Sequence, residues 1–217
     1  MSEPKKKTSR RKFTYAEYRT WPDDERWELI DGEAYDMTPT GTRPHSLVIT
    51  NLGNLLYNGL KGGPCEVHIG QLEVRLPKRK KVLDEKIEDV VIPDIAVVCD
   101  ASKLDEKGCR GAPDFVAEVL SPSTSSYDHI KKKALYERHG VKEYWLIDPV
   151  NRVIIAYILT DAGVFGPAQI YAVDSIIDMS FFEGLTIKAV DIFPPDTRVV
   201  RESPRAYLAA RAAQKKR

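Results

Sequence analysis

A mixed α/β fold, with a sheet covered by helices, is what this chain predicts, and three observations predict it. Val90–Val98 and Phe115–Leu120 are runs of β-branched and aliphatic residues, the pattern of strands buried on both faces. Pro44–Leu60 has helical period, with Val48, Leu52, Leu55 and Leu56 on one face. The order strand, strand, helix, strand with apolar central strands calls for a central mixed sheet flanked by helices. At 217 residues the chain suits one domain of ordinary size with a real core.

The elements follow in order. Thr14-x-x-Glu17 is a capping box that opens a short helix. Trp27-Glu28-Leu29-Ile30 and Glu33-Ala34-Tyr35 flank Asp31-Gly32, a two-residue hairpin signal. The helix from Pro44 stops at Gly62-Gly63. Strands are expected at Glu66–Ile69, Gln71–Leu76, Val90–Val98 and Phe115–Leu120. The hydroxyl-rich turn Ser121–Ser126 leads into a helix over Tyr127–His139, closed by Gly140. Lys142–Asp148 is a strand ending at Pro149, and Arg152–Leu159 with Gln169–Val173 form a last pair around Asp161-Ala162-Gly163. Ser203–Gln214 reads as a terminal helix. The expected organisation is a basic arm (1–12), one domain (13–195) and a tail (196–217).

Charge and cysteine usage narrow the class. The formal net charge is +1, so any nucleic-acid contact depends on local patches. Basic residues cluster in the first twelve residues, at Lys78-Arg79-Lys80-Lys81 and at Lys215-Lys216-Arg217. The termini read as solubilising tails, and the middle cluster as a solvated loop with phosphate contact as the lesser option. No apolar run approaches the ~20 residues needed to cross a bilayer. The basic amino terminus is followed by no apolar segment, so a secretory signal is not expected. Three cysteines without metal spacing (Cys65, Cys99, Cys109) predict reduced thiols in a cytoplasmic protein.

The chemistry rests on two acids set in apolar strands. Asp94 follows Pro93 inside a strand, where the missing N–H implies a bulge or an edge that can aim a side chain. Glu118 stands between Ala117 and Val119 with no wet face apparent. A carboxylate there costs several kcal/mol, roughly, unless a cation or donors compensate. A structural ion pair would account for Glu118, and local hydrogen bonds for Asp94; a shared divalent metal accounts for both. Asp114 and Glu118 are four apart on one strand, about 13 Å between Cα atoms, so Asp94 is the better partner and Asp114 belongs to the strand entrance. Asp128, Lys132 and Tyr136 recur every four residues on the following helix and share a face. Lys132 can therefore swing over the end of the Glu118 strand, while Lys131 and Lys133 face solvent.

These residues resemble a known family. Ala112-Pro113-Asp114-Phe115-Val116-Ala117-Glu118-Val119-Leu120-Ser121-Pro122-Ser123-Thr124, Asp128-x-x-x-Lys132-x-x-x-Tyr136 and Gly140-Val141-x-Glu143-Tyr144-Trp145-Leu146-Ile147-Asp148-Pro149 are similar to motifs of the Uma2 family of putative restriction endonucleases. Glu28-Leu29-Ile30-Asp31-Gly32-Glu33 and His45 resemble its amino-terminal signature. The resemblance spans about residues 13 to 195 and implies a restriction-endonuclease-like fold of the PD-(D/E)XK nuclease superfamily. It implies Asp94 and Glu118 as metal ligands for Mg²⁺ or Mn²⁺, Lys132 as the catalytic cation, and DNA as substrate. Leu120 departs from the superfamily pattern, standing where its lysine belongs, and Lys132 is the spatial substitute. Glu33, His45 and Tyr136 are additional candidates: a third acid, a phosphate contact near a helix start, and a neighbour of Lys132.

Hard oxygen donors without a cysteine or histidine cluster favour Mg²⁺ or Mn²⁺ over Zn²⁺. Cutting both strands of a duplex favours a homodimer. Two other classes remain open on the sequence. One is a nuclease-fold protein that binds DNA or a partner without catalysis, for which the loss of the lysine at Leu120 speaks. The other is a hydrolase using Ser121 or Cys99, against which the lack of a Gly-x-Ser-x-Gly elbow speaks.

Overall fold

The computed structural model describes residues 11–22, 24–37, 42–79, 81–121, 125–179 and 181–194. Residues 1–10 of the basic arm, Lys80, Pro122–Thr124 and the helix expected over Ser203–Gln214 lie outside them. Where one sheet is expected, the described residues build two six-stranded sheets and a small hairpin.

The first sheet begins with β1 (Trp27–Ile30) and β2 (Glu33–Asp36), paired antiparallel through Asp31 and Gly32. Both turn residues have positive φ, 52° and 74°, the conformation that a two-residue hairpin requires and that Asp-Gly supplies. Short strands β4 (Val74–Arg75), β5 (Val90–Val91), β7 (Leu104–Asp105) and β8 (Gly108–Arg110) complete it in the order β2-β1-β5-β4-β8-β7. Of the strand expected over Gln71–Leu76, only the two residues of β4 pair as a strand. The helix α1 (Tyr15–Tyr18) caps the outer face of this sheet, its start fixed by Thr14 N–H donating to Glu17 Oε2 at 3.0 Å.

The second sheet runs β12 (Gln169–Tyr171), β11 (Val153–Ile158), β10 (Glu143–Asp148), β9 (Phe115–Val119), β6 (Ile95–Val98) and β3 (Glu66–Ile69). β9 is parallel to β10 and antiparallel to β6, so the sheet is mixed and β9 lies at its centre. The run read as one strand, Val90–Val98, is thus split: β5 belongs to the first sheet and β6 to the second. Pro93 stands between them. Its ring removes a ladder donor, and the chain changes sheet at that point rather than merely bulging.

Two cores cover the two faces of the second sheet. Ile95, Val97, Phe115, Ala117 and Val119 pack against Val48, Leu52 and Leu56 of α2 (Arg43–Leu60). The alternate residues, Val98, Val116, Tyr144 and Leu146, meet the first sheet and the helical segment 125–139. Period two along β9 therefore points Glu118 into that interlayer space. The helical segment has three parts: α3 (Ser125–Tyr127), a π-helical turn at Asp128–Lys132, and α4 (Lys133–His139), closed by Gly140 in the left-handed region. The hairpin β13 (Ile176–Asp178) and β14 (Thr186–Lys188) and the short α5 (Ala189–Ile192) add to the α2 side.

The cysteines correct an expectation. Cys65 and Cys99 form a disulfide, and Cys109 is a buried free thiol. β3 and β6 pair Glu66 with Val98, and one further step sets Cys65 against Cys99, so the register itself brings the two sulfurs together. No spacing rule along the chain shows such a cross-strand pair. Among the described residues no helix is long and apolar enough to cross a membrane.

Candidate active site

The strand ladder places the two acids side by side. β6 and β9 pair Ile95 with Ala117, so Asp94 falls opposite Glu118. Asp94 N–H approaches Glu118 Oε2 at 3.4 Å, and Val119 N–H donates to Asp94 Oδ2 at 2.8 Å. His45, in the first turn of α2, brings Nε2 to 3.4 Å from the same oxygen. Burial opposes ionisation of Asp94, but His45 and the Val119 amide outweigh it and hold the pKa below the ordinary carboxylate value. The imidazole is affected reciprocally: burial lowers it, Asp94 raises it further, and it stands above its usual range.

Glu118 Oε1 is held from the helical segment. Lys132 Nζ donates to it at 2.8 Å and the Tyr136 hydroxyl at 2.8 Å. The expected face is therefore real: Asp128, Lys132 and Tyr136 are all buried and turned inward. The π turn adds a residue's worth of slack within the helix, a device frequent at functional sites, and Lys132 ends it. Leu120 is partly buried against the interlayer core. The Lys132 ammonium reaches Glu118 from the next element.

One member of the cluster has no assigned role in the sequence reading. Glu28, fully buried on β1, sets Oε1 3.0 Å from Lys132 Nζ and accepts the Ile92 N–H at 2.8 Å. Its other oxygen accepts the Tyr127 hydroxyl at 3.2 Å. Asp128 lies 3.9 Å from Lys132. Glu28 sits in the motif that resembles the family's amino-terminal signature, and its place in an apolar strand was the available signal; Glu33 drew attention instead. Glu33 is half-buried, accepts the Tyr35 hydroxyl at 2.7 Å and lies 3.9 Å from exposed Lys131. Tyr35 in turn packs on Tyr127, 4.7 Å between ring centroids, which links Glu33 to the site through two tyrosines.

Other expected positions resolve simply. Asp114 takes Cys99 N–H at 2.8 Å and Lys142 Nζ at 2.8 Å, a role at the strand entrance. Lys133, expected to face solvent, is half-buried with its ammonium 4.7 Å from the Tyr157 ring centroid. Lys78 is engaged by Asp31 and Glu88.

The charge balance of the cluster sets its chemistry. Three carboxylates, Glu118, Glu28 and Asp128, surround one ammonium, and Asp94 adjoins them. Burial, with Asp94, Asp128 and Glu28 adding to it, pushes the Glu118 pKa up to about 8 against the opposing pull of Lys132. Burial would discharge Lys132, but Glu118, Glu28 and Asp128 prevail and keep it protonated. A buried site with this excess of negative charge calls for a proton or a cation. Among the described residues no three Asp, Glu, His or Cys side chains are arranged to enclose an ion.

The fold is of the restriction-endonuclease-like α/β class. The chain belongs to the Uma2 family, described as putative restriction endonucleases, which it matches over residues 15–190. It is 30% identical over 155 residues to the uncharacterized protein slr1290 of Synechocystis sp., covering 70% of this chain and 77% of that one. A second Synechocystis protein, the uncharacterized sll1609, is 28% identical over 141 residues, covering 63% of this chain and 75% of the other. The fold is similar to the crystal structure of a putative nuclease of the DUF820 group from Anabaena variabilis, with a TM-score of 0.66 and 21% identity over 83% of this chain and 97% of that one.

Proposed function

We propose that the protein is a metal-dependent endodeoxyribonuclease whose site is Asp94, Glu118 and Lys132. One observation carries this reading: two acids on facing strand positions, with a buried lysine on the second and more carboxylates than cations around it. Family membership supports hydrolysis of phosphodiester bonds and DNA as substrate.

Glu118 Oε2 and Asp94 would hold the ion, Mg²⁺ or Mn²⁺. When bound, it lowers the pKa of a water and neutralises charge on the scissile phosphate. The chain's own residues do the rest. Lys132 and Tyr136 fix Glu118 Oε1, which turns Oε2 toward Asp94. The Val119 amide and His45 fix Asp94. Glu28 and Asp128 keep Lys132 charged, so that its ammonium is available to orient the attacking water or to stabilise charge on the phosphate. His45 stands beside Asp94 near the start of α2, where an imidazolium and the helix N-terminus together favour an anion.

Incubation of supercoiled plasmid with the protein and Mg²⁺ or Mn²⁺ tests the reading. Nicking or linearisation that EDTA abolishes is expected; identical plasmid recovery with and without metal contradicts it. The near-complete burial of Lys132, 1% exposed, favours a second reading in which the cluster is structural and the fold only binds DNA. Metal-independent plasmid binding without cleavage would support that one. Cutting both strands calls for two copies, so light scattering in the presence of duplex should report a homodimer.

A further inference from the structure

β3 is tied at both ends to the strand that delivers Asp94. At its start the Cys65–Cys99 bond crosses to the end of β6. At its close the chain reverses through Gly70 and Gln71, at φ 67° and 51°, and the Gly70 N–H donates to the Asp94 C=O at 2.8 Å. A left-handed backbone is uncommon for a residue such as glutamine and persists where its surroundings hold it. Between the two attachments β3 is the short run Glu66–Ile69, and β6 is its one ladder partner among the described residues. A short edge strand opens more readily than the strands inside a sheet.

The disulfide lies where a small molecule can reach it. Cys65 lines a cavity of about 320 Å³ together with Tyr57, Leu60, Lys61 and Glu66. Both bonded cysteines are half-buried, whereas Cys109 is fully buried and its burial pushes the thiol up to about 11. Lys61 and Glu66 balance in charge, so an uncharged thiol meets no electrostatic barrier in the cavity. Cys99 is fixed from the other side. Its N–H donates to Asp114 Oδ2 at 2.8 Å, and Asp114 is tied to Lys142. When the bond opens, β6 therefore keeps its place on β9, and β3 is the element released.

We propose that Cys65–Cys99 is a thiol–disulfide exchange site that regulates Asp94: a small dithiol opens it in the folded protein, and release of β3 loosens the support under that acid. The dithiol's thiolate attacks Cys65 Sγ, the S–S bond breaks, and its electron pair leaves on Cys99 Sγ, which takes up a proton. The dithiol's second sulfur then displaces Cys65 from the mixed disulfide, and Cys65 Sγ takes up a proton. The protein gains two electrons and two protons, and the dithiol, now a disulfide, has lost them. Exposed disulfides are the labile and regulatory ones. With the start of β3 free, the Gly70 bond to Asp94 is held by a short ladder alone. An ion shared with Glu118 needs Asp94 within roughly 0.5 Å of its place. The consequence for metal rests on the nuclease reading, while exchange and strand release stand on β3 and its two attachments.

The test treats the full chain with dithiothreitol in native buffer and counts thiols after acid quench and denaturation. A rise from one thiol, Cys109, to three is expected, at a rate that subdenaturing urea leaves unchanged. Amide exchange at Gly70 should be about tenfold faster in the reduced protein than in the oxidised one, with Leu146 in central β10 changed by less than about twofold. The double variant Cys65→Ser, Cys99→Ser should match the reduced protein and ignore dithiothreitol. Mn²⁺ should bind the reduced protein about tenfold more weakly, the lower end of losing support around a metal ligand. Reduction that proceeds through unfolding, with a rate rising steeply in urea, or equal Gly70 exchange in the two forms would overturn the inference. Should the double variant fail to fold, the two forms of the wild type decide alone. Gly70 exchange that follows the redox state while neither form binds Mn²⁺ upholds strand release and removes the nuclease reading. Mn²⁺ binding that ignores the redox state upholds that reading and overturns the regulation.

Discussion

Two of the ion clusters buried among the described residues are built to opposite rules. In the first sheet the fully buried Arg75 meets Asp84 and Asp105, and Arg110 also reaches Asp84. Two guanidiniums face two carboxylates, and the acids keep partial contact with water, Asp84 being 22% and Asp105 46% exposed. Between the sheets, Lys132 meets three carboxylates, and every side chain in the group is at most 5% exposed. The first cluster is neutral as it stands and can serve the fold alone. The second carries surplus negative charge where solvent cannot screen it, and such imbalance is a mark of a functional site. A structural pair needs equal charges; a metal site needs the reverse.

The largest expected effect comes from breaking the balanced cluster. Arg75→Met leaves Asp84 to Arg110 and the half-exposed Asp105 without its guanidinium, and should cost about 1.5–3 kcal/mol, the scale of hydrogen bonds to charged groups, read as a fall in the denaturation midpoint. Cleavage per folded molecule should stay unchanged. A loss of cleavage out of proportion to the folded fraction would erase the distinction between the clusters.

Lys132→Gln should lower cleavage about 10²-fold or more, the scale of losing one preorganised electrostatic group. The sequence alone suggests that removing Lys132 spares the fold, but the three carboxylates around it predict destabilisation as well. Activity must therefore be normalised to folded protein. Added Mg²⁺ should raise the melting temperature of Lys132→Gln more than that of the wild type, because the variant has more negative charge to neutralise.

The surplus charge also predicts a pH signature. Burial raises the Glu118 pKa to about 8 from an ordinary 4.5, so the folded state binds its proton more tightly than the unfolded chain. That contribution to stability is full below about pH 4.5 and is lost as pH rises through about 8. His45, raised above 6.5, acts in the same direction. The metal-free protein should therefore lose thermal stability between neutral pH and pH 9, Glu118→Gln should flatten most of that slope, and a stability that rises over this window would contradict the assignment. The smallest effects belong to the flanking lysines. Lys131→Ala and Lys133→Ala should cleave within about twofold of wild type, Lys133→Ala costing about 0.5–1 kcal/mol of stability through its ring contact. Equal large losses from all three lysines would indicate diffuse phosphate attraction instead.

Much of this contrast is legible in the sequence, and its limits have physical causes. Glu118 was legible because an acid between aliphatic residues in a strand has no cheap explanation, and Lys132 with Tyr136 because helical period reports a shared face. The order of elements gave the mixed α/β class. Local pattern carries no record of which sheet a strand joins, so Val90–Val98 read as one strand although Pro93 marks the change between two. Glu28 escaped a role because its neighbours Trp27 and Leu29 allow an ordinary hairpin strand, and only tertiary pairing brings it to Lys132. The Cys65–Cys99 bond depends on the register of β3 and β6, which no spacing between cysteines encodes.

Titration calorimetry with Mg²⁺ and Mn²⁺ tests the central claim most directly, since it asks whether the surplus charge between the sheets is there to hold a cation. The account predicts divalent binding by the wild type that Asp94→Asn and Glu118→Gln each abolish while Arg75→Lys leaves it intact. Binding that survives both substitutions, or no binding by the wild type in the presence of cleavable DNA, would contradict it.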